Sequence, residues 1–262
     1  KLIINSLKNS YSTGHDNCAV NTVKDCMDEL STPLCKIFNK SMQDGVVPDD
    51  LKIAKIIPVY KSDDKKTISN YRPISVLPAF SKILERLVYN RLLDFINKHE
   101  LLSDSQYGFR QKISTSMALI DLVDQISMSM ENKKYTIGIF LDLAKAFDTV
   151  NHNILLKKLF HYGVRGTSQS WFRSYLTNRQ QYVSINGINS HKLAITCGVP
   201  QGSILGPLLF ILYINDLNSV SKLVSFIMFA DDTNIFISGS NLHELTSVLN
   251  SELEVISDWF CA

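Results

Sequence analysis

Phe226-Ile227-Met228-Phe229-Ala230-Asp231-Asp232-Thr233-Asn234-Ile235-Phe236-Ile237 sets two adjacent carboxylates between two apolar runs. Each run is rich in β-branched or aromatic residues and reads as a strand. The short gap between them reads as a tight hairpin. Two anions at a hairpin tip repel each other unless a cation neutralises them, and carboxylate oxygens suit a hard divalent ion such as Mg²⁺. An Asp-Asp pair by itself reads first as a solvated turn, so the metal reading requires a further acid on another strand.

Tyr135-Thr136-Ile137-Gly138-Ile139-Phe140-Leu141-Asp142 supplies that acid at the end of a second apolar strand. An Asp in this position also serves as a cap for a following helix, so the weight rests on the two features together. One acid on one strand and two on a neighbouring hairpin can hold two metal ions about 3.5–4 Å apart, an arrangement suited to phosphoryl transfer. A third element is Thr196-Cys197-Gly198-Val199-Pro200-Gln201-Gly202-Ser203-Ile204-Leu205-Gly206-Pro207. It packs three glycines and two prolines into a loop that opens onto an apolar helix. Glycines there allow backbone to approach a ligand closely.

Four blocks, taken in order, resemble the reverse transcriptases of retrotransposons lacking long terminal repeats. Asn70-Tyr71-Arg72-Pro73-Ile74-Ser75 is similar to a fingers motif. Phe140-Leu141-Asp142 through Ala146-Phe147-Asp148 resembles the first palm motif, Gly198-Val199-Pro200-Gln201-Gly202-Ser203 the second, and Phe229-Ala230-Asp231-Asp232 the third. Gln106-Tyr107-Gly108-Phe109-Arg110 fits as flanking sequence. No single block is specific, but the ordered set spans most of the chain.

The resemblance implies an α+β fold with the fingers and palm of a right-hand polymerase, its antiparallel palm sheet carrying helices on one face. Residues 1–130 are expected to form an N-terminal extension and fingers with part of the palm, and residues 131–262 a palm truncated before the thumb. It implies an RNA-directed DNA polymerase that adds deoxynucleotides to a primer 3′-hydroxyl. Two Mg²⁺ ions, with Mn²⁺ as the substitute, are expected on Asp142, Asp231 and Asp232. Phe147 is implied as the gate that excludes a ribose 2′-hydroxyl, with a core phenylalanine as the alternative. Arg72 and Lys61 are implied triphosphate contacts, since guanidinium forks and ammonium charges both suit phosphate. Lys65 or Lys66 could replace Lys61 across a variable turn. Gln201 and Gly202 are implied to pack on the template base and incoming nucleotide. Partners would be an RNA template, a DNA primer or nicked target DNA, and deoxynucleoside triphosphates. The expected location is intracellular, in the nucleus. Two readings stay open beside this one: a non-catalytic nucleic-acid-binding fragment of the same family, and another right-hand polymerase such as telomerase.

Composition agrees with a folded domain. The chain has 262 residues, 45% hydrophobic and 20% charged, enough to bury a sizeable core. The stretch from Ile204 to Leu217 is too short and too polar to span a bilayer, so no membrane is expected as a partner. Net charge is only +2, but residues 1–192 hold 26 Lys/Arg against 18 Asp/Glu, while residues 193–262 hold 1 against 7. A basic front suits phosphate backbones and an acidic back suits metal ions. Five scattered cysteines without a two-residue spacing predict free thiols.

Patterning predicts a helix over 31–44 ended by Gly45, a strand over Ile53–Tyr60, a long amphipathic helix over 79–98 and a second over about 114–130. A helix capped by Thr149 or Asn151 is expected to end near Gly163. Asp148 and His152, at i and i+4, would form a structural side-chain pair on it. Gln181–Ile185 and His191–Thr196 read as a hairpin around Asn186-Gly187 with a slightly wide connection. Ile204–Leu217 reads as a helix bent near Pro207, and Asn241-Leu242-His243-Glu244 as a capping-box start. Tyr107, Phe109 and Arg110 could stack on or pair with the template backbone, with core packing an equal reading for the two aromatics. His15, His99, His161, His191 and His243 read as surface residues.

Overall fold

The computed structural model describes residues 1–261. The chain is α+β, with nine helices and eight strands among the described residues. The helices are α1 (Leu2–Ser6), α2 (Val20–Asp25), α3 (Met27–Asp44), α4 (Ala79–Lys98), α5 (Thr115–Glu131), α6 (His152–His161), α7 (Gly166–Leu176), α8 (Gly206–Ile214) and α9 (Leu242–Cys261). The strands are β1 (Ile53–Tyr60), β2 (Tyr71–Val76), β3 (Tyr135–Asp142), β4 (Arg179–Ile185), β5 (Ile188–Asn189), β6 (Leu193–Ile195), β7 (Ser225–Phe229) and β8 (Asp232–Gly239).

Two compact units interleave along the chain. One comprises Lys1–His99 and Phe147–Leu209, the other Glu100–Ala146 and the chain from Phe210 onward. Each unit is built from two separate stretches of the chain.

The first unit holds a mixed sheet in the order β2-β1-β4-β5, with β6 also on β4. β1 and β2 are antiparallel, whereas β1 and β4 run parallel from Ile53↔Gln180 to Ile56↔Val183. Pro58 is tolerated in β1 because the β4 ladder has already ended there. Among the described residues its ladder partner is Pro73, on the edge strand β2. Helix α4 buries Ile83, Leu84, Val88, Leu92 and Ile96 along one stripe, as its spacing predicts. Leu155, Leu159, Trp171, Tyr175 and Leu176 of α6 and α7 are also buried. Each large apolar side chain removed from water contributes about 1.5–3 kcal/mol before entropy is charged.

The second unit is built on an antiparallel sheet in the order β3-β8-β7. The central strand β8 buries Thr233, Ile235, Phe236 and Ile237, and β7 buries Phe226, Ile227 and Met228. Helix α5 covers part of this sheet through Ala118, which packs with Ile227 and Phe236. Gly138 faces Phe236 across the ladder, and a Cβ there would lie 2.7 Å from that ring. The ring occupies the space that glycine leaves.

Several local expectations need correction. Helix α3 starts at Met27 rather than near 31, although Gly45 ends it in the left-handed region at φ +68°. Helix α8 starts at Gly206, so Pro207 sits in its first turn, where a missing N–H costs nothing and no bend results. The Asn186-Gly187 turn is tight, joining Ile185 directly to Ile188, and the returning chain meets β4 again at β6. Asn151 is the cap of α6, its Oδ1 accepting from the backbone N–H groups of Asn153 and Ile154. Asn241 does the same for His243 and Glu244 at the start of α9.

Candidate active site

The register of the second unit's sheet pairs two of the three acids. Asp142 is the last residue of β3 and lies directly opposite Asp232, the first residue of β8. Residues opposite each other in an antiparallel ladder share a face with Cβ atoms about 4.5–5.5 Å apart, and like charges so placed destabilise the pair. Both residues are exposed. Asp231 occupies the two-residue turn with Ala230, which connects Phe229 to its partner Asp232. Among the described residues, no group of three His, Cys, Asp or Glu side chains is gathered closely enough to hold a metal ion. The donor set nonetheless fits a hard cation in kind. It is all carboxylate oxygen, and the Asp142–Asp232 juxtaposition is one that a bound cation would relieve.

The turn that carries Asp231 is held from behind by a residue the motif reading left without a role. Gln106 is wholly buried, and its Oε1 accepts from the N–H of Ala230 at 3.1 Å and of Gly108 at 2.7 Å. The flanking backbone joins β7 as well: Met228 N–H donates to Ser105 O and Tyr107 N–H to Met228 O. Ala230 sits at φ +58°, a region that non-glycine residues occupy at a cost. Gly108 has no room for a side chain, because a Cβ would lie 2.2 Å from Ala230 N. Tyr107 donates its hydroxyl to Asp121 at 2.8 Å, and burial with that carboxylate pushes its pKa up to about 12. Arg110 donates to the carbonyls of Ser103 and Gln106. Arg110 and Tyr107 thus serve the local framework, while Phe109 is exposed.

In the first unit, the β1–β2 ladder sets Arg72 opposite Val59, and two positions further on Lys61 N–H donates to Asn70 O. Alternation along paired strands therefore puts Lys61 and Arg72 on the same face. Lys65 instead lies 5.4 Å from the centre of the Tyr60 ring, and Tyr60 alternates to the other face. Of the two, Lys61 is the one that shares Arg72's side.

The loop carrying Gln201 and Gly202 is tied to β2 and to the segment after Ala146. Gln201 O accepts from Ser75 N–H at 2.7 Å, and Val199 N–H donates to Phe147 O at 2.8 Å. Gly202 has φ +112°, and a Cβ there would meet Ser75 O at 2.6 Å. Asp148 and His152 do not pair with each other. Asp148 lies in a short 3₁₀ turn, and Asn151 starts a separate helix after it. Asp148 accepts from the Gln201 side chain, and the buried His152 Nε2 lies 2.7 Å from Gly198 O. Phe147 is half-buried.

The histidines at 99, 161, 191 and 243 are exposed, as expected, whereas His15 is half-buried. All five cysteines are free thiols. No described helix is long and apolar enough to cross a membrane.

Residues 61–261 match the family model described as reverse transcriptase (RNA-dependent DNA polymerase). The chain belongs to the reverse transcriptase family. It is 33% identical over 99% of its length to the RNA-directed DNA polymerase from mobile element jockey of Drosophila melanogaster. It is 32% identical over 98% of its length to the probable RNA-directed DNA polymerase from transposon BS of the same species. The resemblance to polymerases of retrotransposons lacking long terminal repeats is borne out by these relatives. The chain spans 29% of the length of each of them. Its fold is also similar to that of apo telomerase from Candida Tropicalis truncated from the C-terminal domain. That likeness has a TM-score of 0.55 and 15% identity, and covers 83% of this chain and 48% of that one.

Proposed function

We propose that this chain is the fingers-and-palm part of an RNA-directed DNA polymerase that extends a primer 3′-hydroxyl with deoxynucleotides during retrotransposition. The observation that carries the reading is the register that sets Asp142 opposite Asp232 beside the turn bearing Asp231. It is supported by membership of a family whose relatives are named for this activity.

Asp142, Asp231 and Asp232 would hold Mg²⁺, with Mn²⁺ as the substitute. When bound, the metal supplies a more acidic primer hydroxyl and charge neutralisation on the phosphates. The three acids belong to the palm, on the β3-β8-β7 sheet, and Gln106 keeps the backbone under Asp231 in one conformation. Arg72 offers two parallel N–H donors to a phosphate, and Lys61 adds a point charge on the same face of the fingers hairpin. Phe147 excludes a 2′-hydroxyl by bulk. Gln201 and Gly202 pack against the template base and the incoming nucleotide, at a place where no Cβ fits. The partners are an RNA template, a primer or nicked target DNA, and deoxynucleoside triphosphates, and the site of action is the nucleus.

The test is primer extension on an RNA template by a full-length polymerase carrying this chain. Asp231→Asn and Asp142→Asn should each abolish extension while the protein stays folded. Retained synthesis by either variant would overturn the assignment of the acids.

A further inference from the structure

We infer that Asp148 is a positioning residue for nucleotide binding, acting by fixing the side-chain amide of Gln201. The inference rests on the proposed contact of Gln201 with the nucleotide. Both carboxylate oxygens of Asp148 accept from Gln201 Nε2, each at 3.0 Å. An ionised carboxylate offers acceptors only, so the amide nitrogen must be the atom that faces it. The amide oxygen, Oε1, is thereby turned away from Asp148. The two ends of an amide are otherwise interchangeable in shape and opposite in hydrogen-bonding sense. Asp148 removes that ambiguity, so a ligand reaching Gln201 meets an acceptor and is favoured if it presents a hydroxyl or amino donor.

The backbone around this contact is held at both ends. Gln201 O is bound to Ser75 N–H, and Phe147 O accepts from Val199 N–H. Gly198, at φ +83°, lies so close to Asp148 that a Cβ would sit 2.7 Å from its carbonyl oxygen. Gly198 N–H also donates to Val150 O at 2.8 Å, and Gly198 O meets His152 Nε2. The loop therefore has its main chain fixed without Asp148, and what the Asp148 side chain adds is the orientation of one amide. An asparagine at 148 could donate to Oε1 instead, turning the Gln201 nitrogen outward and reversing what the nucleotide meets.

The experiment is a double-mutant cycle in a full-length polymerase carrying this chain. Steady-state extension would be measured for Asp148→Asn, Gln201→Ala and the pair. Asp148→Asn should raise KM for the deoxynucleoside triphosphate roughly tenfold, the size expected when a charge-assisted hydrogen bond that orients a contact is lost. It should change kcat less and leave the melting temperature near wild type. In the Gln201→Ala background, Asp148→Asn should add nothing. If Asp148→Asn does not fold, Asp148→Glu, which displaces both oxygens by one methylene, is read in the same way. An unchanged KM, or an effect that adds fully to that of Gln201→Ala, would overturn the positioning role. Should Gln201→Ala alone leave KM unchanged, the nucleotide role of Gln201 itself fails, and this inference goes with it.

Discussion

The buried side chain of Gln106 holds the backbone of Ala230: its Oε1 accepts from Ala230 N–H at 3.1 Å and from Gly108 N–H at 2.7 Å. Ala230 is the residue before the acidic pair and sits at φ +58°. A left-handed alanine persists only where its surroundings determine it. Gln106 satisfies the N–H of that residue, and it does so from within the same unit as the acids.

Gln106→Leu keeps much of the side-chain volume but leaves two buried N–H groups without an acceptor. Each such loss costs about 1–3 kcal/mol, so the melting temperature should fall clearly. Primer extension by the full-length polymerase should fall further than the loss of folded protein explains, because Asp231 and Asp232 follow the released residue. A variant that melts and extends like wild type would reduce Gln106 to a space-filler.

Gly202 and Gly187 separate two costs of replacing a glycine. Both have positive φ, +112° and +82°, but a Cβ on Gly187 meets nothing within 4 Å, whereas one on Gly202 meets Ser75 O at 2.6 Å. Gly187→Ala should cost only the backbone term, about 1–2 kcal/mol. Gly202→Ala should cost about 1–3 kcal/mol more, because the clash is with main chain that cannot swing aside. Denaturant titration of the two variants gives the comparison, and equal losses would show that the β2 contact yields easily.

The parts of this molecule that were legible in the sequence are those set by local pattern. The apolar stripe of α4, the apolar runs of β3, β7 and β8, and the αL glycine after α3 follow from spacing and turn chemistry. The acidic hairpin was legible because a two-residue gap between apolar runs leaves little choice of geometry. Helix α7 was not, because it opens with Gly166-Thr167-Ser168-Gln169-Ser170 and its Ncap Arg165 makes no side-chain cap. Its apolar side chains, Trp171, Phe172, Tyr175 and Leu176, crowd into the last half. The parallel pairing of β1 with β4 joins residues more than 120 positions apart, and no local signal encodes it. Asp148 and His152 are not partners despite their spacing, because the i,i+4 rule holds only within one helix, and Asn151 begins a new one. Gln106 and Asp148 act by contacts across the chain, which spacing alone does not show.

The Asp142–Asp232 juxtaposition predicts a stability effect that changes sign with metal. Without Mg²⁺, Asp142→Asn removes one of two like charges facing each other at the sheet's end, and should stabilise by about 0.2–1 kcal/mol. With saturating Mg²⁺ the same substitution removes a ligand, so the wild type should gain more from the metal than the variant does. Thermal melts of the two proteins with and without Mg²⁺ test this directly. If Mg²⁺ shifts both by the same amount, Asp142 is no part of a metal site.

Glu85 carries the last prediction, on pH. It is buried in α4, with Oε1 accepting from Tyr175 at 2.7 Å and Oε2 from Ile204 N–H at 2.6 Å. Burial raises its pKa above the ordinary value near 4.5, opposed by the positive charge of Arg179 and by these hydrogen bonds. A carboxyl raised on folding binds its proton more tightly in the native state than in the unfolded chain. Its contribution therefore favours folding below the ordinary value and is lost as pH rises from there through the raised one. Glu85→Gln cannot ionise, yet it keeps an acceptor for Ile204 N–H, and the Tyr175 hydroxyl can turn to accept from its amide. Relative to this variant, the wild type should lose stability between pH 4.5 and neutrality, read as the difference in melting temperature across the range. Glu85→Leu should behave differently. It removes the carboxylate acceptor of Ile204 N–H and of the Tyr175 O–H, and leaves the buried Arg179, whose Nε and Nη2 have no hydrogen-bond partner among the described residues, without its opposing charge. A loss of about 3–5 kcal/mol is expected there. A wild type and Glu85→Gln that keep a constant difference from pH 4.5 to 7 would show that Glu85 titrates alike in the folded and unfolded chain.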